Sequence, residues 1–162
     1  MSGDSPTDAD RAFLAEAIRL AVRNVGEGGG PFGALVVKNG KIVGRGGNRV
    51  TRDNDPTAHA EVVAIRDACA RLGSFQLSGC TVYASCEPCP MCLAALYWAR
   101  PAGVLYAATA EDAARVGFDD RFIVEEFRRP PEARSLRVFR LACAEAEAPF
   151  RAWEAKADRV PY

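Results

Sequence analysis

One histidine in 162 residues is the first scarcity of this sequence, and an excess of charge is the second, since 21 Lys and Arg balance 21 Asp and Glu. A chain without a basic field has little with which to neutralise phosphates, so a polynucleotide is disfavoured as a partner. No run of about 18 apolar residues occurs, which excludes an ordinary membrane-spanning helix. The start, Met1-Ser2-Gly3-Asp4-Ser5-Pro6, has neither the basic nor the apolar region of a secretory signal. A cytoplasmic protein with no membrane partner is the expectation. Internal repeats and low-complexity stretches are also absent. With 49% hydrophobic residues, the chain is rich enough in apolar side chains for one globular domain with a substantial core.

The lone histidine stands in Thr57-Ala58-His59-Ala60-Glu61, followed by Cys86-Glu87-Pro88-Cys89-Pro90-Met91-Cys92. His59, Cys89 and Cys92 offer an imidazole and two thiolates, the donors zinc prefers. Three protein ligands leave a fourth position for water, whose pKa the metal lowers toward neutrality. Glu61, two residues from the histidine, is then placed to carry protons between that water and a substrate nitrogen. A closed structural site would need a fourth ligand, and Cys86 has suitable spacing. Cys86 ends a strand-like run, however, whereas Cys89 and Cys92 stand at i and i+3 where a helix begins, sharing one face. A helix N-terminus also favours thiolate. His59 is expected at the start of its own helix, capped by Asp55 or Thr57 with Pro56 in the first turn. Cys69, Cys80 and Cys143 are expected as buried, reduced residues.

Along the chain, Ser5-Pro6 reads as a helix start. Phe13, Leu14, Ala17, Ile18, Ala21, Val22 and Val25 then give an amphipathic helix that ends at Gly26. Gly33 to Val37 and Lys41 to Arg45 form a hairpin around Asn39-Gly40. The glycines from Gly44 to Gly47 read as a turn before a polar loop. A helix from His59 to Leu72, a strand over Thr81 to Ser85, a helix from Cys89 to Ala99 and a strand over Gly103 to Ala107 follow. Strand, helix, strand in that order implies a parallel pair. Short helices are expected over 111–115, 122–128 and 149–157, and Leu136 to Leu141 reads as a strand or an irregular edge. The fold class is α/β: a three-layer α/β/α sandwich around a mixed, roughly five-stranded sheet.

The pattern H-x-E with P-C-x-x-C is that of zinc deaminases acting on nucleobases. Joined to Gly29-Gly30-Pro31-Phe32-Gly33-Ala34, Tyr97-Trp98-Ala99-Arg100-Pro101, Gly117-Phe118-Asp119-Asp120, Pro149-Phe150 and the final Tyr162, it resembles the bacterial guanine deaminase family within the cytidine deaminase superfamily. The resemblance implies a cytidine deaminase-like catalytic domain over 1–148 and a C-terminal segment, 149–162, that closes the site of a second copy in a domain-swapped homodimer. It implies Zn2+ as cofactor and a small nucleobase as substrate, with guanine hydrolysed to xanthine and ammonia. It further implies that Asn48 holds the purine edge, that Phe32 and Trp98 line the pocket, that Asp120 grips the guanine amidine and assists proton transfer, and that Tyr162 covers the site.

Rival readings are a related deaminase of guanosine, cytosine or an aminotriazine, a tRNA adenosine deaminase, and a zinc-stabilised binding module. The tRNA enzyme should carry a basic surface, yet near the C-terminus Arg151, Lys156 and Arg159 stand against Glu154 and Asp158. In the binding module, Glu61 has no purpose.

Overall fold

The computed structural model describes residues 5–162. Helix α1 (Asp8–Gly26) is capped by Thr7, whose hydroxyl accepts from the Asp10 N–H at 3.1 Å while the Asp10 carboxylate accepts from the Thr7 N–H at 2.8 Å. This reciprocal box satisfies two orphan donors, where a Ser5 cap would satisfy one, and the helix begins later than Pro6 suggests.

Strands β1 (Gly33–Lys38) and β2 (Lys41–Gly47) pair antiparallel. Their turn holds Asn39 at φ 50° and Gly40 at φ 71°, the left-handed pair that a two-residue hairpin requires. Then come α2 (Val50–Asp53), α3 (Ala60–Leu72), β3 (Cys80–Cys86), α4 (Pro90–Ala99), β4 (Gly103–Ala108) and α5 (Ala110–Ala114). The sheet order is β2-β1-β3-β4, with β3 antiparallel to β1 and parallel to β4.

Side chains of β1 alternate between two cores, as the period of a strand dictates. Ala34 and Val36 join Val82 against Ala60, Ala64 and Ala68 of α3 and Leu96 of α4. Leu35 and Val37 join Tyr83 against Ala17 of α1, with Phe13 and Leu14 beside them. The central strands are therefore covered on both faces, which gives the expected helix, sheet, helix layering. Each fully buried Leu or Val here contributes about 1.5–3 kcal/mol.

Between Gly44 and Gly47 the structure departs from the sequence reading, because these residues continue β2 instead of turning. A Cβ on Gly46 would lie 2.1 Å from the Ala60 carbonyl oxygen, and one on Gly44 would lie 2.6 Å from that of Ala64. Bare backbone on the strand and a stripe of alanines on α3 let helix and sheet touch directly.

The chain divides into two compact units, residues 1–120 and 121–162. The second holds α6 (Arg121–Arg128), a 3-10 turn (Pro131–Ala133) and α7 (Ala148–Ala155). Glu126 organises its middle, accepting from the Ser135 N–H at 2.6 Å and hydroxyl at 2.8 Å. Leu136 to Leu141 is irregular, so the sheet has four strands among the described residues and not five. Val138 and Phe139 favour a strand, but Arg137 and Arg140 stand three apart and would fall on opposite faces of one, and no strand in the unit pairs with the segment. Cys143 is exposed, against expectation, and donates to Glu145 at 3.0 Å. Among the described residues, no helix is long and apolar enough to cross a membrane.

Candidate metal centre and active site

Two helix starts converge on one point. His59 is the N-cap of α3, in extended backbone (φ −67°, ψ 156°), and makes no side-chain capping bond. Neither Asp55 nor Thr57 caps this helix. Instead, the Asp55 carboxylate accepts from the Thr57 N–H at 2.8 Å and hydroxyl at 2.7 Å. The Arg49 N–H donates to the Ala58 carbonyl at 2.8 Å. The entering loop is thus pinned on both sides, and the imidazole is left for other work. Cys89 is the N-cap of α4, with Pro90 at the first helical position, and its Sγ accepts from the Cys92 N–H at 3.5 Å.

His59 Nδ1 lies 3.5 Å from both Cys89 Sγ and Cys92 Sγ. Zinc bonds of about 2.0–2.1 Å to nitrogen and about 2.3 Å to sulfur, opened to a tetrahedral angle, place nitrogen and sulfur about 3.6 Å apart. The three donor atoms lie within 4.8 Å of one another. Spacing and donor chemistry both fit zinc, so these residues are positioned to hold it. Cys86 is not in the converging set: its thiol donates to the Thr109 carbonyl at 3.4 Å, and burial raises its pKa. The fourth ligand needed for a closed structural site is therefore not supplied by Cys86.

Glu61, in the first turn of α3, is 7% exposed, and its carboxylate accepts from the Cys92 thiol at 3.4 Å. Burial pushes its pKa up. A near-dry carboxyl beside the metal donors is poised to exchange protons, as a general acid–base residue must be.

Before a cation binds, the two thiols differ. The neighbouring Cys92 side chain, aided by His59 and by the Cys92 N–H, lowers Cys89 to about 4, while Cys92 is raised by Cys89, by burial and by Glu61. His59 is raised, chiefly by its hydrogen bond to Cys89. Near neutral pH, Cys89 is already a thiolate, and Cys92 must lose a proton before it can ligate. Zinc affinity should therefore fall about tenfold for each pH unit lost, or more where His59 is also protonated. Competition against a chromophoric chelator at several pH values checks this; a flat profile would contradict the assigned protonation states.

Around this centre the first unit gathers most of the remaining candidates. Asn48 is 7% exposed, and its N–H donates to the Phe32 carbonyl at 3.0 Å. The Phe32 ring meets Phe118 edge-on, with centroids 5.0 Å apart, which ties the loop from Gly117 to Asp120 to the same neighbourhood. The Asp120 carboxyl is raised by burial and by the negative charge of Cys89, so it sits within electrostatic reach of the donor set. Trp98 lies on α4 with 64% of its surface exposed. Tyr162 ends the second unit.

Sequence reasoning missed three supports. Ser85 Oγ accepts from the Gly33 N–H at 3.0 Å, and Glu87 accepts from the Ala110 N–H at 3.1 Å, tying the loop before Cys89 to α5. Asn24 is the third. It lies on the buried stripe of α1 with Ala17 and Ala21, and a polar residue on an apolar stripe was the available signal.

Residues 7–108 match the family described as cytidine and deoxycytidylate deaminase zinc-binding region. The guanine deaminase of Bacillus subtilis strain 168 is 53% identical over 151 residues, covering 93% of this chain and 97% of that protein. A solved structure of guanine deaminase from Bacillus subtilis superposes with a TM-score of 0.91 at 52% identity, over 94% of this chain and 98% of that one. A solved complex with 2,6-diaminopurine gives 0.67 at 32% identity, over 72% and 65% of the two chains. A tRNA-specific adenosine deaminase of Aquifex aeolicus is 45% identical over 96 residues, only 59% of this chain and 64% of its own. By the extent of the family match and the near full-length relationship, this chain is a member of the zinc-dependent cytidine and deoxycytidylate deaminase family.

Proposed function

We propose that the chain is a guanine deaminase that hydrolyses guanine to xanthine and ammonia. One observation carries the reading. Likeness to the Bacillus subtilis guanine deaminase runs across 93% of the chain, past the family match that stops at residue 108, whereas likeness to the Aquifex aeolicus tRNA enzyme covers 59%. The segment beyond residue 108 contains Asp120 and Tyr162, the residues here assigned to substrate choice. A balanced charge of zero adds to the case against RNA. A related structure that accepts 2,6-diaminopurine, with its amine at C2, supports a purine-sized pocket.

When bound by His59, Cys89 and Cys92, zinc supplies an activated water as nucleophile near neutral pH. Glu61 would take one proton of that water and deliver it to N3 as the oxygen adds at C2, then take the remaining hydroxyl proton and deliver it to the amine, which leaves C2 as ammonia. Asp120 accepts from N1–H and the C2 amine, a two-point contact matched to guanine. Asn48 donates and accepts along the purine edge, between walls formed by Phe32 and Trp98. We infer further that residues 149–162, ending in Tyr162, close the site of a second copy in a homodimer. All six cysteines are free, which suits a reducing cytoplasm.

Ammonia release from guanine, guanosine, cytosine, adenine and a tRNA anticodon stem tests the reading. Fast release from guanine, with little from the others, is the expected result. Release from another amine in place of guanine would retain the zinc chemistry and discard the substrate assignment. Release from none would favour a binding module.

A further inference from the structure

The far end of α1 reaches the substrate side of the site through one amide. Asn24, 4% exposed, donates both Nδ2 protons to main-chain carbonyls, those of Gly30 and Asn48, each at 2.7 Å. Its own carbonyl accepts from the Gly29 N–H at 2.9 Å, and the Gly30 N–H returns to the Asn48 carbonyl at 3.2 Å. The loop before Phe32 and the residue after β2 are thus held against each other by a side chain belonging to neither.

Glycines shape the socket. A Cβ on Gly47 would lie 2.3 Å from Asn24 Oδ1, one on Gly29 would lie 2.3 Å from Asn24 Nδ2, and one on Gly30 would lie 2.9 Å from Asn48 Oδ1. Two amides are therefore packed with no room to tilt. The Asn48 side chain uses Oδ1 to accept from the Val50 N–H at 3.3 Å, while its Nδ2 has no hydrogen bond among the described residues. That donor remains for a ligand.

From this we propose that Asn24 is a positioning residue for substrate binding: it fixes the Asn48 backbone, and through it the direction of the free Asn48 amide. The proposal rests on the reading that Asn48 contacts the purine. Two donors buried against two carbonyls hold both segments at once. With them lost, each carbonyl keeps one main-chain donor, Gly30 from the Phe32 N–H at 2.9 Å and Asn48 from the Gly30 N–H at 3.2 Å, so the tie between α1 and the two segments is what disappears. Because the displaced amide would contact substrate in ground state and transition state alike, the loss falls on KM and spares kcat.

Steady-state kinetics of the zinc-loaded, full-length protein decides it. Asn24→Ala should raise KM for guanine about tenfold or more while kcat stays within about threefold and zinc content is unchanged. Asn24→Ser, which keeps one short donor, should fall between. In an Asn48→Ala background the same Asn24→Ala change should shift KM by less than about twofold, since the amide it positions is gone. A lowered melting temperature and active fraction with unchanged KM would reduce Asn24 to a structural residue and overturn the proposal. Additive effects in the double variant, or failure of both single variants to fold with zinc, would do the same. A parent enzyme that does not release ammonia from guanine overturns the functional reading and the Asn48 contact with it. A parent that turns guanine over beside an Asn24→Ala variant of unchanged KM overturns the positioning role alone.

Discussion

Replacing Glu61 with glutamine is expected to lower kcat for guanine by about 10³–10⁴-fold while leaving fold and zinc content intact. The size follows from using one carboxylate more than once, first to take a proton from water and then to hand protons to N3 and to the departing amine. Glutamine matches the shape and, in the metal-free protein, can still accept the Cys92 thiol bond made at 3.4 Å, but cannot shuttle protons. Stability should not suffer, since the native carboxyl is 7% exposed and burial already opposes its charge. Metal analysis and thermal melting, run beside the kinetics, separate loss of chemistry from loss of site. Unimpaired turnover in a zinc-loaded variant would remove Glu61 from the mechanism. Loss of zinc would instead make it a structural support of the centre.

The donor set was legible in the sequence because its signal is local. Histidine and two cysteines at helix starts are rare residues at constrained spacing, and the fold had only to bring two short motifs together. Asn39-Gly40 was legible for a similar reason, since a two-residue hairpin requires left-handed backbone at both positions and the structure shows it at 50° and 71°. What failed to show was set by partners distant in the chain. The glycines from Gly44 to Gly47 resemble a turn to any local reading, yet the requirement at Gly44 and Gly46 comes from α3, which lies against them, and that at Gly47 from Asn24 of α1. Leu136 to Leu141 has the apolar and aromatic content of a strand, but a strand exists only if another pairs with it. The role of Asn24 depends on carbonyls six and 24 residues away. Its place on the buried stripe of α1 marked it as unusual without naming those partners. Asp120 and Tyr162 were reached only through family resemblance, because an aspartate in a loop and a terminal tyrosine carry no chemical signature alone.

Gly46→Ala should act on both fold and function, though Gly46 itself is not one of the reacting groups. Its new Cβ would stand 2.1 Å from the Ala60 carbonyl oxygen and 2.5 Å from the Ala64 nitrogen. These are backbone atoms of a helix and cannot swing aside as a side chain could, so α3 must lift from β2 by roughly 1 Å to restore contact distance. Overpacking of this kind costs about 1–3 kcal/mol, a fall in melting temperature of about 2–12 °C for a chain of this size. Ala60 lies between His59 and Glu61, so the displacement moves a metal ligand and the proton carrier together. A shift near 1 Å in such groups is worth about 100-fold in rate, and kcat/KM should fall by at least that much even in the folded fraction. Gly26→Ala is the matched control, because a Cβ there meets nothing within 4 Å. If the two variants prove equally stable and active, the direct seating of α3 on β2 does not set the geometry of the centre. If Gly46→Ala alone loses rate beyond its loss of folded protein, the small-residue seam on the sheet is what holds His59 and Glu61 in register with Cys89 and Cys92.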